Sequence, residues 1–171
     1  SRINLNRADL ETITRLVLDV LVLDKAEAED LARAIVDWRE ELPIEMQGFY
    51  SQDYYSQMEF PYSPKHRPFE RLEELLLVRG MDRQRYDRLK DYVTICGLGA
   101  VNINTASRPV LIAMGMSESL VVKILSARYG MDGQEGTSDD FIFDQSNNNA
   151  AIFSEFVPLT EEERAEYDLL I

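Results

Sequence analysis

Apolar residues recur at spacings of three and four positions through most of the chain, which predicts helices rather than strands. The first run consists of Leu10, Ile13, Val17, Leu18 and Leu21. Asn6 precedes this run, and its side chain is predicted to accept the free N–H groups of the first helical turn. We therefore predict a mainly all-α protein.

The pattern predicts three helical hairpins. The first occupies residues 1–42 and the second residues 68–96, while residues 97–171 hold the third together with an acidic loop and two C-terminal helices. The turns of the hairpins offer N-cap residues for the following helices, namely Asp24, Asp82 and Ser117. The repeated hairpins resemble helix-hairpin-helix, or SAM-like, units. The leucines expected in the core are Leu10, Leu31, Leu75, Leu89, Leu111 and Leu125.

The helical period stops at residues 43–67, where prolines and tyrosines are concentrated. Because aromatic side chains gain from burial, we predict an ordered loop. Two interpretations stay open: the rings seal the joint between the first two hairpins, or they form a surface for a partner protein. The partner-surface candidates are Phe49, Tyr50, Tyr54 and Tyr62, whereas Tyr55, Phe60 and Phe69 are expected inside.

One short phrase occurs twice, as "INLNRA" from Ile3 and as "VNINTA" from Val101, and a helical hairpin follows each copy. Asparagine side chains can bond nearby backbone groups where an extended segment turns into a helix. We therefore interpret the phrase as structural. We also expect its two copies to run side by side as short extended segments.

Charge limits the classes of function. The chain of 171 residues has 18 Lys and Arg residues against 31 Asp and Glu residues, a formal net charge of −13. Such a field repels nucleic acids and anionic membrane surfaces. A helix-hairpin-helix module that binds nucleic acid is the alternative function, and the carboxylates at two of the hairpin turns argue against it, since they repel phosphate.

Residues suited to metal binding or catalysis are sparse. The single cysteine excludes an intramolecular disulfide and any cysteine-based zinc site. Four acids near the third hairpin, Asp132, Glu135, Asp139 and Asp140, are candidate Ca²⁺ ligands, although their spacing does not match an EF-hand loop. We favour a solvated acidic loop with no cofactor. We also predict no catalytic residues, because no nucleophile accompanies His66 and its neighbours Glu70 and Asp53.

The order of the motifs is distinctive. "DWRE" in the first hairpin is followed by the tyrosine-rich loop, then by "PFERLEELLLVRGM", then by "VNINTA" and an apolar helix. This succession resembles the general secretion pathway protein K family, the minor pseudopilins of the type II secretion system. The resemblance covers nearly the whole chain.

The resemblance implies a non-enzymatic structural and interaction protein at the tip of the pseudopilus. Its implied partners are other minor pseudopilins, with secreted cargo as a further class, and no nucleic acid. It implies a periplasmic location at the bacterial inner membrane, where the family is held by an N-terminal helix. In the family a helical domain is inserted into a small pilin-like core. This chain resembles that helical domain almost alone, so we expect the membrane helix and the closing strands to lie outside it.

Overall fold

The computed structural model describes residues 1–41, 43, 51–134, 136–144 and 149–170. The elements found there are β1 (Ile3–Asn4), α1 (Leu10–Leu21), α2 (Lys25–Arg39), α3 (Ser51–Ser56), a 3₁₀ helix (Leu72–Leu77), α4 (Arg83–Leu89), β2 (Val93–Thr94), α5 (Arg108–Ala113), α6 (Glu118–Arg128), α7 (Ala150–Phe156) and α8 (Glu161–Leu170). The fold is mainly helical, which confirms the predicted class. Among the described residues, no helix combines the length and apolar character needed to cross a lipid bilayer.

The chain divides into two compact units. The N-terminal unit comprises Arg2–Val101, and the C-terminal unit comprises Ser1 and Asn102–Ile171. The N-terminal unit holds the α1–α2 hairpin, the tyrosine-rich loop and the pair formed by the 3₁₀ helix and α4. The C-terminal unit holds the α5–α6 hairpin, the acidic loop and the α7–α8 pair. The two units therefore repeat one order of elements.

Helix α1 begins later than predicted. Asp9, and not Asn6, is its N-cap, and the Asp9 carboxylate accepts the N–H of Thr12 at 2.7 Å. This hydrogen bond is the main reason why the pKa of Asp9 lies below its usual value. The prediction for Asn6 was wrong because its amide is engaged with distant backbone groups, described below.

The N-caps predicted at the hairpin turns are confirmed. Each side chain accepts the N–H group three residues further on: Asp24 accepts Glu27 at 2.9 Å, Asp82 accepts Arg85 at 2.8 Å, and Ser117 accepts Leu120 at 3.4 Å. These bonds satisfy N–H groups that a helix start leaves without a partner in the helix. Each hairpin turn is thus fixed by its own side chain.

The predicted core is largely confirmed. Leu31, Leu75, Leu89 and Leu111 are buried, whereas Leu10 and Leu125 are only partly buried. In α1 the buried side chains are Ile13, Leu16, Val17, Val20 and Leu21. The packed face is therefore centred nearer Leu16 than the periodicity suggested, which leaves Leu18 38% exposed. Periodicity identifies an apolar side of a helix but does not fix where contact with its neighbours ends.

The second hairpin departs from its prediction. The segment expected to form an α-helix up to Gly80 is a 3₁₀ helix that ends at Leu77. Its start is fixed by Glu74, whose carboxylate accepts the N–H groups of Glu70 and Arg71, both at 3.0 Å. This carboxylate reaches back over the first turn and satisfies two free donors there.

The two copies of the asparagine phrase do not pair with each other, as had been expected. Strand β1 pairs in parallel with β2, placing Ile3 opposite Val93 and Asn4 opposite Thr94. The partner of the first copy is thus the segment that follows α4, within the same unit.

Asn6 and Asn104 each hold both backbone groups of a distant phenylalanine, an arrangement that we call the Asn clamp. The Asn6 amide donates to the carbonyl of Phe69 at 3.0 Å and accepts its N–H at 2.8 Å. The Asn104 amide makes the same two bonds with Phe143, each at 2.8 Å. Both phenylalanines are buried. The repeated phrase therefore carries structure, as predicted, and does the same work in each unit.

The other asparagine of each copy supports the clamp. Asn4 accepts the N–H of Asn6 at 2.9 Å, and Asn102 accepts the N–H of Asn104 at 2.9 Å. This bond between a side chain and the backbone two residues on is an Asx-turn, which fixes the direction in which the clamping asparagine leaves the chain. The asparagines therefore act as a positioned pair.

The α7–α8 pair is joined to the rest of the C-terminal unit through a buried carboxylate. Thr160 and Glu163 form a capping box: the Thr160 N–H donates to Glu163 at 2.8 Å, and the Glu163 N–H donates to Thr160 at 3.2 Å. Lys123 of α6 forms an ion pair with the same carboxylate. The lysine is the leading cause that lowers the pKa of Glu163 to about 2.

We predict that Asn104→Ala lowers the free energy of unfolding by about 2–3 kcal/mol, because it leaves both backbone groups of buried Phe143 without their partner. Urea-induced unfolding followed by circular dichroism measures this loss. Hydrogen exchange at the Phe143 amide should also become faster. The matched control is Asn102→Ala, which removes one exposed hydrogen bond and should cost about 0.5–1 kcal/mol. Equal effects of the two substitutions would contradict the clamp.

We predict that acid destabilises the C-terminal unit through Glu163. Its pKa is lower in the folded chain than the ordinary value of 4.5, so its stabilising effect is complete above pH 4.5 and disappears as pH falls towards 2. About 1–2 kcal/mol of the free energy of unfolding should be lost over that interval. Glu163→Gln should show less of this loss, whereas Glu162→Gln, an exposed neighbour on α8, should keep it. Unfolding by urea at a series of pH values provides the measurement.

Candidate functional site

The tyrosine-rich loop packs its inner face against both hairpins of the N-terminal unit. Tyr55 is 1% exposed, and its hydroxyl accepts the N–H of Arg79 at 2.9 Å. Its ring lies 6.0 Å from that of Trp38 on α2 and 5.1 Å from that of Tyr62. Burial raises the pKa of the Tyr55 hydroxyl to about 12. This arrangement favours the interpretation that the loop seals a joint.

Tyr62 packs on the same inner side of the loop. Its hydroxyl donates to the carbonyl of Leu77 at 2.9 Å, and its ring lies edge-on to Trp38 at 6.3 Å. The indole N–H of Trp38 donates in turn to Glu74 at 3.2 Å. Of the proposed partner-surface residues, Tyr62 is thus partly committed to internal packing.

The outer face of the loop exposes apolar side chains among polar ones such as Gln57 and Glu59. Tyr54 is 37% exposed with its ring edge-on to Tyr55, and Met58 is 38% exposed. Phe60 was predicted inside, which was wrong, because it is 79% exposed. Tyr55 and Tyr62 occupy the packed side of the loop against Trp38. The other two candidate surface residues, Phe49 and Tyr50, lie outside the described residues.

The carboxylates of the acidic loop bind the loop's own backbone. Asp139 accepts the N–H of Met131 at 2.6 Å and the hydroxyl of Thr137 at 2.8 Å. Asp140 accepts the N–H groups of Gly136 and Thr137. The Thr137 hydroxyl is the leading cause that lowers the pKa of Asp139. These aspartates therefore have a structural use as anions that fold a tight loop.

A side chain at Gly130 would collide with this arrangement. Gly130 has a φ of +57°, and a Cβ atom there would lie 2.4 Å from the Asp139 carboxylate. Within the described residues, no three His, Cys, Asp or Glu side chains are grouped to hold a metal ion. Asp132 donates its N–H to Asp139 at 3.3 Å, and Glu135 lies outside the described part of the chain. The four acids stay candidate calcium ligands, and the solvated loop without a cofactor stays the prediction.

The hairpin turns are poorly arranged for phosphate. A phosphate-binding hairpin presents free N–H groups to the ligand. Here the first turns of α2 and α4 direct an N–H to the carboxylates of Asp24 and Asp82. A phosphate would have to displace an anion from a donor that is already satisfied. This geometry argues against the nucleic-acid-binding alternative.

The other groups considered for chemistry have structural partners. The His66 Nδ1 atom lies 3.0 Å from the carbonyl oxygen of Asp37, and His66 adopts a left-handed backbone with a φ of +45°. The expected neighbour Glu70 is paired with Lys65 at 3.4 Å. No hydrogen bond between His66 and Glu70 or Asp53 occurs among the described residues.

The sequence reasoning missed a groove between α1 and α2. Its volume is about 530 Å³, and it lies between a row on α1 (Leu10, Thr14 and Leu18) and a row on α2 (Lys25, Glu29 and Arg33). Each row follows the spacing i, i+4, i+8, so its side chains stand above one another on a helix. The signal in the sequence was Leu18, which was counted only as part of the apolar run of the first helix.

The chain is similar to a known protein family in sequence and to a solved protein structure in fold. The sequence profile of type II secretion system protein K matches residues 1–97. No curated protein sequence matches the chain. The fold is similar to that of a chain in the crystal structure of the GspK–GspI–GspJ complex from the type 2 secretion system of enterotoxigenic Escherichia coli, with a TM-score of 0.63 and 16% sequence identity.

The structural match extends over 99% of the chain described here but over 60% of the solved chain. The chain therefore spans less than two thirds of the length of that relative. The match concerns the arrangement of helices and includes both units, whereas the profile match ends near the close of the N-terminal unit.

We predict that the inner and outer faces of the tyrosine-rich loop respond differently to loss of a hydroxyl. Tyr55→Phe should lower the free energy of unfolding by about 1–2 kcal/mol, because the partly buried N–H of Arg79 loses its acceptor. Tyr54→Phe, on the exposed neighbour, should change it by less than about 0.5 kcal/mol. Thermal and urea unfolding of the two variants measure the difference. A loop that served only as an outer surface would give two small effects.

Proposed function

The chain belongs to the type II secretion system protein K family, and we propose that it forms the helical head of a minor pseudopilin. In this role it is a structural and interaction domain without a catalytic site. The observation that carries the proposal is the family match over residues 1–97 joined to a structural likeness over 99% of the chain. The family is a structural component of the secretion machinery.

The geometry supports an interaction role. Three carboxylates show the structural uses of acids in this chain: Asp24 is an N-cap, Glu163 belongs to a capping box, and Asp139 binds the backbone of the acidic loop. The exposed apolar side chains, by contrast, include three from the tyrosine-rich loop: Tyr54, Met58 and Phe60. Solvated apolar side chains grouped in one loop suit contact with another protein better than catalysis.

The partners in this proposal are other minor pseudopilins of the same secretion system, with secreted cargo as a further class. The solved relative is part of an assembly of GspK, GspI and GspJ. A periplasmic position in the pseudopilus follows from the same assignment. Since the chain spans 60% of that relative, we propose that the main grip on the partners lies in the part of the relative's fold that the match does not cover.

We predict that the 171-residue chain is monomeric and binds soluble domains of the other minor pseudopilins weakly, with Kd on the order of 10–100 μM. Light scattering should give a mass near 19.7 kDa, and calorimetric titration should give the affinity. An unrelated protein of similar negative charge is the control and should not bind. Absence of saturable binding up to about 1 mM would contradict an interaction role for this domain.

A Kd below about 0.1 μM would show instead that the helical surface itself holds the tip together. In that case the position assigned to the main grip would be wrong. The titration therefore separates the interaction role of this domain from the location of the strongest contact.

A further inference from the structure

We propose that the groove between α1 and α2 docks a short amphipathic helix of another protein, with aliphatic side chains on its inner face and carboxylates along its flanks. This inference deepens the proposed function and rests on it, since it names one surface and the chemistry of a segment that fits it. It concerns the α1–α2 groove and not the tyrosine-rich loop.

The α1 side of the groove has a largely apolar row, Leu10, Thr14 and Leu18, beside the charged Glu11 and Arg15. Leu10 is partly buried and Leu18 is 38% exposed, so both retain apolar surface that a partner can cover. Thr14 lies between them, and its hydroxyl already donates to the carbonyl of Leu10 at 2.7 Å. A docked chain therefore need not supply a hydrogen bond to Thr14 and can pack against its methyl group.

The dimensions suit a helix. The row from Leu10 to Leu18 covers eight residue steps of α1, which is about 12 Å or a little over two turns. A helix that lies along such a row can place side chains at i, i+4 and i+7 in the groove, as helices do when ridges pack into grooves. The volume of about 530 Å³ has room for several apolar side chains.

The walls carry more positive than negative charge, unlike the chain as a whole. The cations are Arg15, Lys25 and Arg33, and the acids are Glu11 and Glu29. Glu11 pairs with Arg15, while Glu29 is shared between Arg33 at 3.4 Å and Lys25 at 3.9 Å. Lys25 is 85% exposed and only loosely held. Such exposed pairs contribute little, so partner carboxylates can recruit these cations at small cost.

At physiological salt the charge of the groove, and not the net charge of the chain, determines whether an acidic or a basic helix binds better. The net charge of −13 repels an acidic segment at long range, but screening limits that repulsion to about 8 Å at 0.15 M salt. Within that distance the flanks of a docked helix meet the groove cations. A helix with acidic flanks is therefore favoured over one with basic flanks.

The test uses a fluorescent, helix-stabilised peptide of about three turns, with leucines on one face and glutamates on both flanks. Anisotropy is measured against the 171-residue chain at about 0.15 M salt. A second peptide keeps the leucines and replaces the glutamates with lysines. The groove variants are Leu18→Glu and Lys25→Glu, and the matched control is Val122→Glu, which alters an exposed aliphatic residue on α6. Circular dichroism verifies that each variant is folded.

We expect the acidic peptide to bind saturably. Leu18→Glu should raise its Kd about tenfold or more, and the lysine peptide should bind about tenfold or more weakly than the acidic one. Val122→Glu should leave the Kd of the acidic peptide within about twofold. Lys25→Glu should weaken binding of the acidic peptide several-fold. Equal binding of the two peptides, no effect of Leu18→Glu, or no binding up to about 1 mM would each overturn the proposal. Binding of pseudopilin domains without binding of the peptide would refute the groove and leave the proposed function standing.

Discussion

The fold depends on asparagine side-chain amides that take the place of backbone hydrogen-bond partners. A primary amide can accept from an N–H and donate to a C=O at once, so it can replace a neighbouring strand for a single residue. Asn6 does this for Phe69 and Asn104 does it for Phe143. Each phenylalanine enters a core at the end of a long loop, where a backbone without partners would be costly. The clamp removes that cost without building a sheet.

The same clamp explains why two chain segments of unequal length form equivalent units. The clamp closes over 63 positions in the N-terminal unit and over 39 in the C-terminal unit. Arg39 and Arg128, the last residues of α2 and α6, then donate to the carbonyls of Leu5 and Ile103 inside the asparagine phrases. Each unit is thus an asparagine phrase, a hairpin, a loop, a clamped phenylalanine and a helical pair. The loop between hairpin and clamp changes its chemistry from tyrosine-rich to acidic, and the helical pair begins with a 3₁₀ helix in the N-terminal unit and with α7 in the C-terminal unit.

Local features were predictable from the sequence, and long-range ones were not. Asp24, Asp82 and Ser117 act on N–H groups three residues away, so the residue type and the helical period sufficed. Asn6 carried a signal for a side-chain-to-backbone bond, but its partner is 63 positions away and a closer candidate cap, Asp9, was available. For the candidate surfaces, the aromatic content predicted a packed loop but did not say that Phe60 faces outward. The groove required knowing which face of α1 meets α2.

A surface that recognises a partner must keep its shape when the partner is absent, since ordering it on binding weakens affinity. The α1–α2 groove meets this condition because its rows are sides of regular helices whose first turns are capped by Asp9 and Asp24. The acidic loop is also held by its own hydrogen bonds, but those bonds engage the carboxylates that would have met a partner. The groove instead leaves Leu18 and Lys25 exposed on a backbone that is already fixed. A fixed backbone that carries exposed side chains is what distinguishes the groove from the acidic loop.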